Sequence, residues 1–237
     1  MGQVKGAILS VAPSAAVVDL THAVPPQDVL AGAFLLWSAV ETFPPGTIHV
    51  AVVDPGVGSS RRALAIRAAR GDTLVGPDNG LLLPATYRLG GLHDAVALTE
   101  QRYWRPDTSA TFHGRDIFGP VAAHLARGVP LSDFGPPASD LVDLRLPEPH
   151  GLEGEVIHVD VYGNLVTNLP AASLPPRFDV LVAGRSAPFA LFYGSVAPGE
   201  LLAVVGSNGL VEISVRDGSA TKLTGAARGT PVSLQPL

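Results

Sequence analysis

A chain of 237 residues with 46% hydrophobic side chains is long enough for one large domain or two modest ones, with ample apolar mass for a core. It has no cysteine, which excludes disulfides, thiolate metal sites and a cysteine nucleophile. A formal charge of −5 without a basic run argues against phosphate-backbone binding, so no nucleic-acid partner is expected.

No apolar run reaches the roughly 18 residues of a membrane span, and the amino terminus lacks the basic-then-apolar order of a signal peptide. The reading is a folded cytoplasmic protein with no membrane partner. The only lysines are Lys5 and Lys222, and there are 22 prolines, a bias that fits either a GC-rich genome or a thermophile.

From the amino terminus, residues 1–3 read as a helix or turn leading to Ala7-Ile8-Leu9, and residues 17–20 as a short strand before Thr21-His22. Asp28 is positioned to cap a helix through about Glu41, with Val29, Ala33, Leu36 and Val40 on one face and Phe34, Leu35 and Trp37 broadening it. Trp37 is read as core packing rather than a ligand platform.

A strand follows in TIHVAVVDPGVGSSRR, residues 47–62, where Ile48, Val50, Val52 and Val53 run from the breaker Pro44-Pro45-Gly46 to Asp54-Pro55-Gly56. Gly56 and Gly58 permit a tight fold there. Asp54 is thereby left at the carboxyl end of a strand, the position at which open α/β sheets place their chemistry. A surface turn with an N-capping aspartate is the competing reading.

Further strands are expected over residues 63–67, 73–75 and 95–98. Strands interleaved with helices predict a mixed or parallel sheet with helices on its faces, an α/β, Rossmann-like arrangement. In Thr111-Phe112-His113-Gly114-Arg115-Asp116, Asp116 is positioned to cap a helix carrying Ile117, Val121, Ala122 and Leu125 inward and ending at Gly128, with Pro120 tolerated in the first turn. His113 then lies just before a helix amino terminus, whose field favours the neutral imidazole and suits a base. A second capping group is the alternative.

From residue 131 to 151, Pro130, Pro136, Pro137, Pro147 and Pro149 mark a linker. Beyond it come only short strands, expected over residues 155–161, 179–183, 201–205, 210–215 and 231–234, separated by Gly, Asn, Ser and Pro turns. That is the pattern of a small antiparallel barrel or sandwich. The expected organisation is a catalytic α/β domain over residues 1–146 and a β-barrel-like domain over 147–237 that contributes to substrate binding.

Asp54, Arg61 and His113 suit a set in which carboxylate and imidazole hold and deprotonate a water while guanidinium stabilises the anion. A metal site built from Asp54, Asp78, His113 and Asp116 is the rival, but no HxxxH or HExxH spacing is present and Arg61 and Arg115 repel a cation, so no metal is expected. No GxSxG elbow exists for a serine nucleophile. The Gly56-Val57-Gly58 loop matches neither phosphate-binding glycine pattern. In the second half, the segment from Asp160 through Tyr162 and Asn164 to Asn168, the turn at Gly206-Ser207-Asn208-Gly209, and Asp217-Gly218-Ser219 each read as ordinary turns. Their amide and carboxylate groups are also what an adenine edge and an amino-acid head group require.

Four segments together, VVDPGVGSSRR at 52–62, GPDNGLL at 76–82, FHGRDIFGPVAAHLA at 112–126 and DVYGNLVTN at 160–168, resemble the S-adenosylmethionine hydroxide adenosyltransferases, relatives of the fluorinase and chlorinase enzymes. The resemblance covers nearly the whole chain. It implies hydrolysis of S-adenosyl-L-methionine to adenosine and methionine by attack at ribose C5′, with Asp54, Arg61 and His113 activating water and no metal or organic cofactor. It places Asn164 at adenine and Asp160 and Ser207 at the methionine end, and Asp78, Asn79 and Tyr162 are assigned to substrate binding. It implies a homotrimer whose sites lie between the large domain of one subunit and the small domain of the next. The halogenases carry Tyr and Thr where this chain has Asp54 and Val57, and the longer fluorinase loop is missing, which points to the hydrolytic branch. A halide-using adenosyl transferase and a non-catalytic adenosine- or S-adenosylmethionine-binding protein are the alternatives.

One departure concerns the front of the chain. Family members resembling this one begin with a strand bearing a TDFG-like motif, whose aspartate grips the ribose, whereas this chain opens at Met1-Gly2-Gln3-Val4-Lys5-Gly6. The expectation is therefore a sheet with a central strand left unpaired, and an upstream coding segment that supplies its partner.

Overall fold

Alternation along two neighbouring strands sets the layering of the first half. In β2 (Ala63–Ala68) and β3 (Thr73–Pro77), successive side chains point to opposite faces. Leu64, Ile66 and Leu74 therefore join one apolar cluster, and Ala65 and Val75 join another on the far side. The first cluster is covered by α2 (Val29–Ala39) and α3 (Leu83–Arg88), the second by α4 (Gly119–Ala126). A sheet apolar on both faces needs a helix layer on each, which makes this half a three-layer α/β/α unit.

The computed structural model describes residues 2–237, which fall into two compact units divided between Arg145 and Leu146. In the first, the sheet order is β1-β3-β2-β4, with β1 (Ile48–Val50) parallel to β3 and β2 antiparallel to both β3 and β4 (Leu92–Ala97). The sheet is mixed, as expected. Asp28 caps α2 through its side chain, accepting from Ala31 N at 3.0 Å. Trp37 stacks on Phe34 and carries the Arg88 guanidinium over its ring, a packing role.

Three expectations for this unit are corrected. Residues 17–20 form no strand: Val17 packs against the cluster of Ile8, Ala12 and Ala123 beside α1 (Gly2–Val11), and Asp19 turns outward to Lys5 and His22. Asp116 caps no helix, because it lies within a π-helical turn, Gly114–Phe118, that runs directly into α4. Among the described residues no central strand lacks a partner, since β3 and β2 are each paired on both sides and β1 and β4 form the margins of the sheet.

The second unit holds a seven-stranded antiparallel sheet in the order β8-β7-β11-β5-β6-β10-β9. Its strands are β5 (Glu153–Val159), β6 (Leu165–Pro170), β7 (Phe178–Val182), β8 (Arg185–Pro188), β9 (Leu201–Val205), β10 (Leu210–Val215) and β11 (Pro231–Pro236), with α5 (Ala220–Thr224) before the last. A bridge from Phe189 to Ala203 brings the two ends together and nearly closes a barrel around Val156, Leu165, Val180, Val211 and Ile213. Closure removes exposed edges.

Candidate active site

Beyond Val50 the chain stays extended beside β3, and Ala51 N donates to Val75 O at 3.0 Å. Gly76 lies so close to the Ala51 carbonyl that a Cβ there has no room. The chain then turns at Asp54, with Val57 N donating to Asp54 O and Ser59 N to Gly56 O. Gly58 sits at φ +77 with the Ala110 carbonyl where its Cβ would stand. That contact packs the turn carrying Asp54 against the segment that leads to His113.

Arg61, two residues before β2, closes the turn. Its Nε donates to both Asp54 oxygens at 3.0 and 3.1 Å, and its Nη2 to Oδ2 at 2.5 Å. The same Nη2 lies 2.7 Å from His113 Nδ1. Both members of the ion pair are largely out of water, the Arg61 and Asp54 side chains being 10% and 5% exposed, and Arg61 lies over the Phe118 ring. Three residues that the sequence reading groups are thus joined through one guanidinium edge.

The shared nitrogen fixes chemistry. Guanidinium only donates, so Nδ1 of His113 is the acceptor and a neutral imidazole carries its proton on Nε2. Burial, followed by the adjacent Arg61 charge, holds His113 below the usual histidine range. The direction agrees with the neutral form expected from the helix terminus, but its main causes are burial and Arg61.

The neighbouring candidates are tied into the protein. Asp78, 7% exposed, accepts from Arg62 Nε at 2.7 Å and Val142 N at 3.0 Å, and Arg62 donates onward to the carbonyls of Ser139 and Asp140. Consecutive arginines thus face opposite sides of the sheet. Asn79 donates from Nδ2 to Val53 O at 2.8 Å and accepts from Leu81 N at 3.2 Å. Asp116, fully buried, is held by Arg115, Arg105 and Ser109 N, which lowers its pKa chiefly through Arg115. Asp54, Asp78 and Asp116 therefore each sit in a separate arginine pair, and among the described residues no group of three His, Asp or Glu is arranged to hold a metal.

In the second unit, Asp160 organises a tight turn: Oδ1 accepts from Tyr162 N and Asn164 N, and Oδ2 from Asn164 Nδ2, each at 2.9 Å. Tyr162 is exposed, and Ser207 is exposed in the turn between β9 and β10. The sequence reading missed two residues nearby. Glu212 accepts from Tyr193 at 2.7 Å and Ser214 at 2.9 Å. Burial, Glu212 and the Asp160 charge raise the Tyr193 phenol to about 12. The register of β10 against β6, with Glu212 opposite Val166 and Ile213 opposite Leu165, sets Glu212 beside the strand that follows Asn164, and no local motif signals it.

An α/β/α unit bearing a carboxylate–guanidinium–imidazole set, followed by a barrel-like antiparallel unit, defines the class as a two-part mixed α/β protein. The chain belongs to the SAM hydroxide adenosyltransferase family: residues 1–135 match the family's N-terminal domain and residues 154–233 its C-terminal domain. It is 46% identical over 231 residues to an (R)-S-adenosyl-L-methionine hydrolase of Salinispora tropica, covering 94% of this chain and 88% of that one. A fluorinase of Actinoplanes sp. is 28% identical over 204 residues, covering 73% of this chain and 68% of its own length. The fold matches the crystal structure of an uncharacterized conserved protein from Thermotoga maritima with a TM-score of 0.92 at 34% identity, over 98% of this chain and 94% of that one.

Proposed function

We propose that this chain hydrolyses S-adenosyl-L-methionine to adenosine and L-methionine, with Asp54, Arg61 and His113 as its catalytic set. The observation that carries the reading is the single Arg61 edge that binds the Asp54 carboxylate and fixes the His113 tautomer. The Salinispora relative named (R)-S-adenosyl-L-methionine hydrolase supports the choice of substrate and reaction.

In this reading Asp54 takes a proton from water as the water oxygen bonds to ribose C5′. The C5′–S bond breaks, its electron pair goes to sulfur, and the sulfonium becomes the neutral thioether of methionine. His113 offers Nε2–H to the attacking oxygen and orients it, and Arg61 keeps both partners in place. The proton on Asp54 returns to solvent. This moves the basic role from imidazole to carboxylate, because Nδ1 is already committed to Arg61.

Asp160, Tyr162, Asn164 and Ser207 are proposed to bind substrate, Asn164 at adenine and Asp160 and Ser207 at the amino-acid end. Asp78 serves through the 139–142 segment that it holds. The first domain is proposed to be catalytic and the second to contribute to binding, within a homotrimer whose sites join the large domain of one copy to the small domain of the next. Support comes from the exposed apolar side chains beside the Asp160 turn, Val161 at 87% and Tyr162 at 75%, a surface that calls for a cover. The proposed setting is cytoplasmic, with no nucleic-acid or membrane partner. The net charge of −5 agrees, and among the described residues no helix is long and apolar enough to cross a membrane.

The test is chromatography of products from S-adenosyl-L-methionine in ¹⁸O-water, with and without excess chloride or fluoride. The expected result is adenosine labelled at its 5′ oxygen, unlabelled methionine and no halide dependence. A halogenated nucleoside as main product defeats the hydrolase reading, and bound ligand without turnover points to a binding protein.

A further inference from the structure

The parallel ladder between β1 and β3 is supplied by donors two residues apart on β3, and the next position in that series is Pro77, which has no N–H. Thr73 N donates to Thr47 O at 3.0 Å, and Ala51 N returns a bond to Val75 O at 3.0 Å. By this register the carbonyl facing Pro77 is that of Ala51, so the regular ladder ends there, although the chain still has to reach Asp54 in a fixed direction. Two residues past Pro77, the Asn79 side chain takes up the ladder and donates from Nδ2 to Val53 O at 2.8 Å. Its own oxygen is fixed by Leu81 N at 3.2 Å, so neither end of the carboxamide rotates freely. On the other side, Gly32 of α2 admits the Val53 side chain so closely that an added Cβ would meet Val53 Cγ2 at 2.8 Å and Leu81 Cδ1 at 3.0 Å.

We infer that Asn79 is a positioning residue for Asp54. Its side-chain amide takes the acceptor that falls to position 79 once the regular ladder has ended at Pro77, and so clamps the Val53 carbonyl in the peptide group from which Asp54 departs. This rests on the reading of Asp54 as the base and takes the place of the expectation that Asn79 touches substrate. A carboxylate that must meet Arg61 Nε at 3.0 Å and Nη2 at 2.5 Å has little tolerance. A misplacement of about 1 Å is enough to cost about 10²-fold in rate.

The test compares wild type with Asn79→Ala and with Asn79→Asp, a near-isostere that keeps the acceptor for Leu81 N but points an oxygen at Val53 O. Measurements are kcat and KM well below the melting temperature, calorimetric affinity for adenosine, and ¹⁵N NMR of the His113 ring. The expected result is a kcat loss of about 10-fold for Asn79→Ala and about 10²-fold for Asn79→Asp. KM and adenosine affinity stay within about twofold, and the His113 signal moves from a single Nε2–H tautomer to a mixture as Asp54 releases Arg61. A rise in KM with unchanged kcat assigns Asn79 to substrate and overturns the inference. A fall in melting temperature with unchanged kcat and an unchanged His113 signal overturns it as well. Should wild type show no turnover, the hydrolase reading fails by itself, and the His113 tautomer in the two variants still decides whether Asn79 positions the set.

Discussion

Nη2 of Arg61 stands 2.7 Å from Nδ1 of His113, and a donor-only group facing that nitrogen leaves the imidazole a single neutral tautomer. Protonation of His113 would place a second N–H against the guanidinium.

The first prediction concerns pH. Since burial and Arg61 depress the folded-state pKa of His113, the native protein binds fewer protons at this site than the unfolded chain below the ordinary histidine value of about 6.5. Its contribution to stability is complete above that value and is lost as pH falls through the lower, folded pKa. Turnover is expected to fall in the same acid range, together with the ¹⁵N signature of the Nε2–H tautomer. A flat rate profile while the ring titrates would remove His113 from the reaction.

Arg61→Lys keeps the charge but replaces a planar fork with a point charge that cannot bridge Asp54 and His113. A kcat loss of about 10² or more is expected, on the scale of positioned acid–base help. Arg61→Ala leaves a buried carboxylate without its partner and is expected to destabilise the chain by about 3 kcal/mol, measured by urea unfolding. Activity of Arg61→Lys within twofold of wild type would show that the bridge is dispensable.

Much of the fold was legible because its causes are local. The Asp28 cap, the apolar face of α2 and the β-branched run from Ile48 to Val53 are set by neighbours within a few residues. The strand expected at residues 17–20 failed because a strand needs a partner, and Val17 finds α1 instead. β6 was read as a binding turn because its polar residues hide an inward-facing row that only pairing with β5 and β10 reveals. Within the site, Asp54, Arg61 and His113 stood out as chemistry. The occupations of Asp78 and Asn79 depend on residues up to 64 positions away, which no local pattern encodes.

Gly58→Ala tests the contact between the two loops. A residue at φ +77 strains any L side chain, and the Ala110 carbonyl stands where the methyl would go. Loss of at least about 1 kcal/mol in stability is expected, with a fall in kcat larger than the unfolded fraction explains. Unchanged turnover in the folded variant would mean that the loops hold their spacing without this contact.

Asp116→Asn addresses the π-helical turn. Asp116 is fully buried but its partners Arg115 and Arg105 are 27% and 46% exposed, so the cost is set at roughly 2 kcal/mol, below that of a pair sealed from water. Thermal melting checks it. Wild-type stability would show that the amide keeps the same donors.

The trimer proposal has a direct check in mixed assemblies. Asp54→Ala and Asn164→Ala chains, each inactive alone, are unfolded together and refolded. If each site draws on two copies, hybrid trimers regain part of the wild-type rate, and no recovery in proven hybrids means that the residues act within one chain.

In the proposed mechanism the bidentate Asp54–Arg61 pair, with His113 held toward its neutral form, makes the reacting corner an electrically balanced triplet. A positively charged sulfonium arriving there meets neither a bare counter-ion to trap it nor a free cation to turn it away, so the proposed substrate would have to be recognised by its adenosine and amino-acid ends. Uncharged adenosine, once made, leaves without breaking an ion pair. Such a corner is built for throughput rather than retention, and analogues that mimic only the sulfonium charge should be poor inhibitors, whereas those that keep the nucleoside should compete well.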